Sequence, residues 1–212
     1  MTKHVSVPDS SLARGLFATA SAAVAVLVLA ACGSGGQDQS QGEGHGSGHD
    51  SGKKPAKSAG AADVSFAKGM IPHHRQALEM SGLASSRAES AQVKALAERI
   101  SKAQEPEIDK LSGWLKSWGE KVPAANQGHS GHSGHSMAGM MTPEDMAKLK
   151  KMSGEKFDRE FLKMMTAHHE GAVDMARTEE SDGSYRPAKE MAREIRRSQT
   201  GEIKEMRGLL KK

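Results

Sequence analysis

The chain has 212 residues, enough for one domain of ordinary size, and carries 30 Lys and Arg against 26 Asp and Glu for a formal charge of +4. That mixed balance excludes a dominant electrostatic footprint for nucleic acid, and four Phe, two Trp and one Tyr are too few for a base-stacking platform or a β-sandwich core. By contrast, 13 Met and 10 His beside a single Cys concentrate thioether sulfur and imidazole in a chain poor in aromatic carbon.

Lys3 and Arg14 precede an apolar run from Leu16 to Ala31, interrupted only by Thr19 and Ser21. A membrane-spanning helix needs about 20 apolar residues, so residues 1–31 are expected to be a secretory signal peptide rather than a span. The run closes Leu29-Ala30-Ala31-Cys32-Gly33, which resembles a bacterial lipobox. That resemblance implies cleavage before Cys32, diacylglycerol on its sulfur, and an extracytoplasmic chain held to the cell membrane by the lipid. No cysteine follows Cys32, so the folded part has neither disulfides nor thiolate ligands. In an exported protein any soft-metal site must then be built from Met and His.

Residues 32–61 are Gly, Ser, Gln, Asp and Lys with His45 and His49, a composition that buries no core and reads as a flexible tether. Residues 62–118 have the patterning of a helical hairpin, with helices expected over 62–86 and 90–118. The linker 119–142 contains His129-Ser130-Gly131-His132-Ser133-Gly134-His135-Ser136-Met137 and then Met140-Met141. A spacer needs no histidine, so this composition favours weak, solvent-accessible metal capture. Thr142 followed by Pro143 signals an N-cap and a short helix ending at Ser153-Gly154. A second hairpin within 143–212 is expected to place helices over 155–181 and 186–211.

The two hairpins are copies. A gapless shift of 95 residues carries Asp63, Phe66, Lys68, Met70, His73, His74, Ala77 and Met80 onto Asp158, Phe161, Lys163, Met165, His168, His169, Ala172 and Met175. The same shift carries Ala97, Ile100, Gln104, Glu107, Ile108, Gly113 and Leu115 onto Ala192, Ile195, Gln199, Glu202, Ile203, Gly208 and Leu210. Two amphipathic hairpins bury little alone but pack together as a four-helix bundle, so the expected fold class is all-α.

On a wheel of about 100° per residue, the first-helix residues of this motif share one face roughly 120° wide, the width of a core-facing stripe. A face that should be plain hydrocarbon therefore carries two imidazoles and two thioethers in each copy. Adjacent histidines are about 100° apart, so one can face the bundle axis while the other points to a neighbouring helix. Met70 stands three residues before His73 and four before His74, spacings that bring side chains within reach of one ion. Pro72 removes a backbone hydrogen bond and is expected to kink the first helix; its counterpart is Ala167.

Thioether with imidazole suits Cu(I), and imidazole alone tolerates Cu(II). Zinc favours His with Cys or carboxylate, calcium and magnesium require oxygen, and the Glu-x-x-His pairs of di-iron bundles are absent. Copper is the ion the donor set fits best.

The motif D-x-x-F-x-x-x-M-x-x-H-H-x-x-A-x-x-M, given twice and each time followed by I-x-x-x-Q-x-x-E-I, resembles the domain-of-unknown-function family numbered 305. The resemblance covers about 62–118 and 143–212 and implies a ferritin-like four-helix bundle that binds copper outside the cytoplasm. Carried over by position, it implies Met70, His73, His74 and Met80 as ligands in the first copy, and Met165, His168, His169 and Met175 in the second. Met164 and Met206 are added in the second copy, where the first has Gly69 and Leu111. The reading is a lipoprotein that sequesters, buffers or transfers Cu(I) or Cu(II), with a copper donor or acceptor protein as partner and no nucleic acid.

Plainer readings accompany each feature. Methionine fills irregular gaps in ordinary cores, which is the competing account of Met80, Met175, Met191 and Met206 and the preferred one for Met146 and Met152. Buried histidines need polar partners, and Gln104, Glu107, Gln199 and Glu202 of the paired helices could supply them or fix the tautomers of metal-ligating rings. The alternating charges of the last helix read as a solvated face. The competing functions are a ferritin-like redox enzyme, whose substrate cleft the sequence does not display, and a structural surface lipoprotein without metal.

Overall fold

A computed structural model describes residues 59–124 and 139–211. The signal peptide, Cys32, nearly all of the tether with His45 and His49, and the linker residues His129, His132, His135 and Met137 lie outside the described residues. The described chain forms α1 (Ala61–Arg87), α2 (Ala91–Ser117), α3 (Pro143–Leu149), α4 (Gly154–Asp182) and α5 (Arg186–Leu209). It is an all-α bundle of two helical hairpins, α1–α2 and α4–α5. Among the described residues no helix is long and apolar enough to cross a membrane.

Local chemistry sets the helix ends. Ser90 caps α2 by accepting from the Val93 amide, and Thr142 and Asp145 form a reciprocal capping box around α3 with Pro143 in its first turn. Pro187 opens α5. The helix α1 runs through Pro72 without interruption. Packing proceeds in the order α2, α1, α4, α5, with α1 and α4 as the central pair that joins the hairpins.

Those two central helices run antiparallel and are fastened at both ends by one device used twice. Asp63, in the first turn of α1, accepts from the Ser184 amide (3.0 Å), the Ser184 hydroxyl (2.8 Å) and the Tyr185 amide (2.9 Å) in the α4–α5 turn. Its repeat equivalent Asp158, near the start of α4, accepts from the Glu89 and Ser90 amides (3.2 and 2.8 Å) in the α1–α2 turn. The residues at the two turns are also 95 apart, so the sequence repeat is realised as a pseudo-twofold axis through the α1–α4 contact.

One clasp carries an extra carboxyl. Glu179 is fully buried against Asp63, where its repeat equivalent is Ala84. Burial first, then its hydrogen bond to Asp63 and that carboxylate's charge, push Glu179 up to about 8. Burial would also raise Asp63, but hydrogen bonds from Tyr185, Glu179, Ser184 and Gly60 outweigh it and hold Asp63 below its ordinary value. Glu179 therefore keeps its proton up to about pH 8 when folded, beside the Asp63 carboxylate, while neither of its carboxyl oxygens reaches a partner in ordinary hydrogen-bond geometry among the described residues. A group raised on folding contributes stability fully below its unfolded pKa and loses it as pH rises through the folded one. Stability should fall between about pH 4.5 and 8 with a slope of up to about 1.4 kcal/mol per pH unit from this group. Urea titrations of wild type and E179Q at about pH 5.5 and 8.5 check this: the fall should be markedly smaller in E179Q, and equal falls would remove Glu179 as its source.

Candidate metal centre

The pseudo-twofold axis brings together the residues that the repeat singles out. His73 on α1 and His168 on α4 face each other across the hairpin contact with ring centroids 3.7 Å apart and planes inclined by 40°. Ala77 and Ala172, each one turn after the axial histidine of its copy, are both fully buried. The second histidine of each pair turns outward to its own hairpin partner. His74 Nε2 lies 2.7 Å from Glu107 Oε2 on α2, and His169 Nε2 lies 2.7 Å from Glu202 Oε2 on α5. The two directions of the His-His step are thus used separately, one for the axis and one for a carboxylate.

All four imidazoles are 0% exposed. An ionised carboxylate can only accept, so His74 and His169 each donate from Nε2, and in the neutral tautomer of such a ring Nδ1 presents a lone pair. Neither Nδ1 has a hydrogen-bond partner among the described residues, and both ring nitrogens of His168 lie outside ordinary hydrogen-bond geometry, with only a weak contact to the His73 backbone. Burial, then the neighbouring imidazoles of His73, His169 and His74, hold His168 well below the ordinary histidine range, so its ring is neutral. One turn before each Glu, Gln104 and Gln199 are buried on α2 and α5, with the Gln104 amide and Gln199 Oε1 also without partners among the described residues. Buried polar atoms ordinarily have partners, so these orphans on four helices of one bundle ask for an explanation, of which a bound ligand is one.

The thioethers flank the imidazole pair in two groups. Met80 of the first copy joins Met164, Met165 and Met206 of the second, with Met146 of α3, in one apolar cluster that contains Phe157 and Phe161. Met70 lies in the other cluster with Met191, and Met175 packs against it half-buried. The ten predicted ligands are therefore not two sets divided by copy: antiparallel packing mixes the copies at each end, and Met164 is separated from Met175. Sorting the methionines this way requires the helix direction, which periodicity alone does not contain. Among the described residues no three His, Cys, Asp or Glu side chains converge as a ready metal site.

Three contributors escaped the sequence reading of roles: Asp63 with Asp158, Glu179, and Gln76. The first pair is visible as a repeated Asp in a motif otherwise apolar or metal-ligating. Gln76 is visible only as a place where the repeat fails, since its counterpart is Gly171.

A bundle of two repeated hairpins, holding imidazoles on its axis and thioethers to either side, defines a class of helical His/Met proteins. The chain belongs to the family described as Domain of unknown function (DUF305), which it matches over residues 63–210. No curated protein matches it. Among solved structures, a DUF305 protein of Streptomyces coelicolor, assigned as secreted, is 33% identical over 70% of this chain and 90% of its own, with a TM-score of 0.63. A DUF305 fragment from Deinococcus radiodurans is 30% identical over 72% and 97% of the two chains, with a TM-score of 0.64. CopM in its Cu(II)-bound form is 33% identical over 70% and 95%, with a TM-score of 0.61. CopM is also known in Cu(I)-bound, Ag-bound and apo forms.

Proposed function

We propose that this protein binds copper outside the cytoplasm, holds it at the α1–α4 axis, and buffers it or hands it on. The observation that carries the reading is the set of buried ring nitrogens without a hydrogen-bond partner on His74, His168 and His169, in a core that also buries Met70, Met80, Met165 and Met206 completely. A neutral imidazole with a free lone pair and a thioether together suit a soft monovalent ion, which makes Cu(I) the preferred cargo and Cu(II) a weaker one. The proposed ligand pool is His73, His74, His168 and His169 with Met70, Met80, Met164, Met165, Met175 and Met206. Glu107 and Glu202 orient two of the rings. Exchange of thioethers one at a time provides release to an acceptor. The copper- and silver-bound forms of CopM support this reading, and the Streptomyces coelicolor relative supports export. Lipidation at Cys32 belongs to the same proposal, as does weak capture by the linker histidines.

The test is anaerobic titration of the mature chain with Cu(I) against a competing chelator, followed by thermal unfolding. A ligand that binds only the native state stabilises it by about 2.7 kcal/mol at 100 times its dissociation constant. Copper-loaded protein should melt several degrees above the metal-free form. Equal melting temperatures and no competition with the chelator would leave a structural bundle.

A further inference from the structure

The segment Gly139–Met141, directly before α3, crosses the molecule at one informative place. Gly139 adopts φ +81° and presses on α4 so closely that a Cβ there would lie 2.4 Å from the Ala167 carbonyl oxygen, 3.1 Å from the Gly171 amide nitrogen and 3.1 Å from His168 Cα. Two residues on, Met141 is held on α1: its amide donates to Gln76 Oε1 (2.7 Å) and its carbonyl accepts from Gln76 Nε2 (2.9 Å). Gln76 is buried and both bonds are partly shielded from water.

Gln76 and Gly171 are repeat equivalents, each three residues after the axial histidine of its copy. A segment that touches both spans the pseudo-twofold axis at the level where His73 and His168 meet. The repeat is broken there in a complementary way. One copy has a side chain that grips the backbone, and the other has none, which lets the backbone lie against α4. A glycine at 139 is required both by its positive φ and by the missing space for a Cβ.

We propose that Gly139–Met141 is a strap that gates the imidazole centre, setting how fast an ion enters and leaves it while contributing little to how tightly it is held. This deepens the function proposed above and rests on copper binding at that centre. Gln76 is the latch and Gly139 the point of closest approach.

The mature chain and its Q76A, Q76E and G139A variants are loaded anaerobically with Cu(I), and release to excess chelator is followed by stopped flow, with equilibrium competition measured in parallel. Hydrogen exchange at the Met141 amide reports whether the latch has opened. Q76A and G139A should release Cu(I) at least about 10-fold faster, with affinity within about 3-fold of wild type, because a gate changes both rates together. Q76E, which still accepts from the Met141 amide but gives up the donor to its carbonyl, should fall between. Unchanged release despite faster Met141 exchange overturns the strap while leaving copper binding intact. A loss of affinity equal to the gain in release rate also overturns it, since the segment would then be part of the binding surface. Wild-type protein that takes up no Cu(I) overturns the function, and the gate with it.

Discussion

Replacing His168 with Leu should lower Cu(I) affinity by at least about 100-fold and at the same time make the metal-free protein more stable. The two effects have one cause. His168 is fully buried at the hairpin contact, and both its ring nitrogens lie outside ordinary hydrogen-bond geometry among the described residues. A buried polar group left unsatisfied costs about 1–3 kcal/mol, and Leu removes it while retaining most of the volume that packs against α1. A gain of about 1–2 kcal/mol in metal-free stability is expected, measured by urea denaturation. Copper then supplies what the polypeptide withholds. The loss of affinity should exceed that of E202Q, where His169 keeps its ring and loses only the carboxylate that orients it, a change that typically costs about 10–100-fold. Copper-induced stabilisation should vanish in H168L and persist, reduced, in E202Q. If H168L binds Cu(I) as tightly as wild type, the axis is not the site; if it is less stable without metal, His168 has a structural role that outweighs its desolvation.

Much of this arrangement is legible in the amino-acid sequence alone. Helices expected over 62–86, 90–118, 155–181 and 186–211 are found over 61–87, 91–117, 154–182 and 186–209, because amphipathic periodicity and the polar turn residues between helices are local signals. The 100° step between adjacent histidines likewise anticipates that one ring faces the axis and the other a neighbouring helix, and the structure shows His73 and His168 in the first role and His74 and His169 in the second. Other features depend on how the hairpins meet. Asp63 sits on the same wheel face as Met70 and His74, so periodicity alone makes it one more polar residue on a core stripe. Its acceptor role appears only once α4 runs antiparallel to α1 and delivers the Ser184 and Tyr185 amides. The methionines are sorted by the same antiparallel choice, which places Met80 with Met165 and Met70 with Met191. The broken repeat at Gln76 and Gly171 acquires meaning from a strap that comes from the linker, outside either copy.

The clasps carry the second large expectation. D63A should destabilise the protein by about 3–4 kcal/mol and D158A by about 2, measured by urea denaturation of metal-free protein. Hydrogen bonds to a charged acceptor are each worth about 1.5–3 kcal/mol, and Asp63 accepts from Ser184, Tyr185 and Gly60 where Asp158 accepts from two amides. Hydrogen bonds that share one acceptor do not contribute additively, so the totals stay below the simple sums. The two clasps stand at opposite ends of the α1–α4 pair and share no partner, so their losses should add to within about 0.5 kcal/mol. The double variant then spends most of the 5–15 kcal/mol typical of a domain. Because His73 and His168 belong to different hairpins, loss of docking separates the axial rings, and copper affinity should fall with stability in the double variant although no proposed ligand has been touched. Asparagine at position 63 distinguishes charge from geometry. Its Oδ1 still accepts, and its amide can donate to Glu179, which then ionises more readily, so D63N should be less damaging than D63A above about pH 7 and should move the Glu179-dependent fall in stability to lower pH. Equal losses in D63N and D63A, with that fall left where it is in wild type, would mean that the Asp63 carboxylate does not raise Glu179 and that the clasp works through its backbone bonds alone.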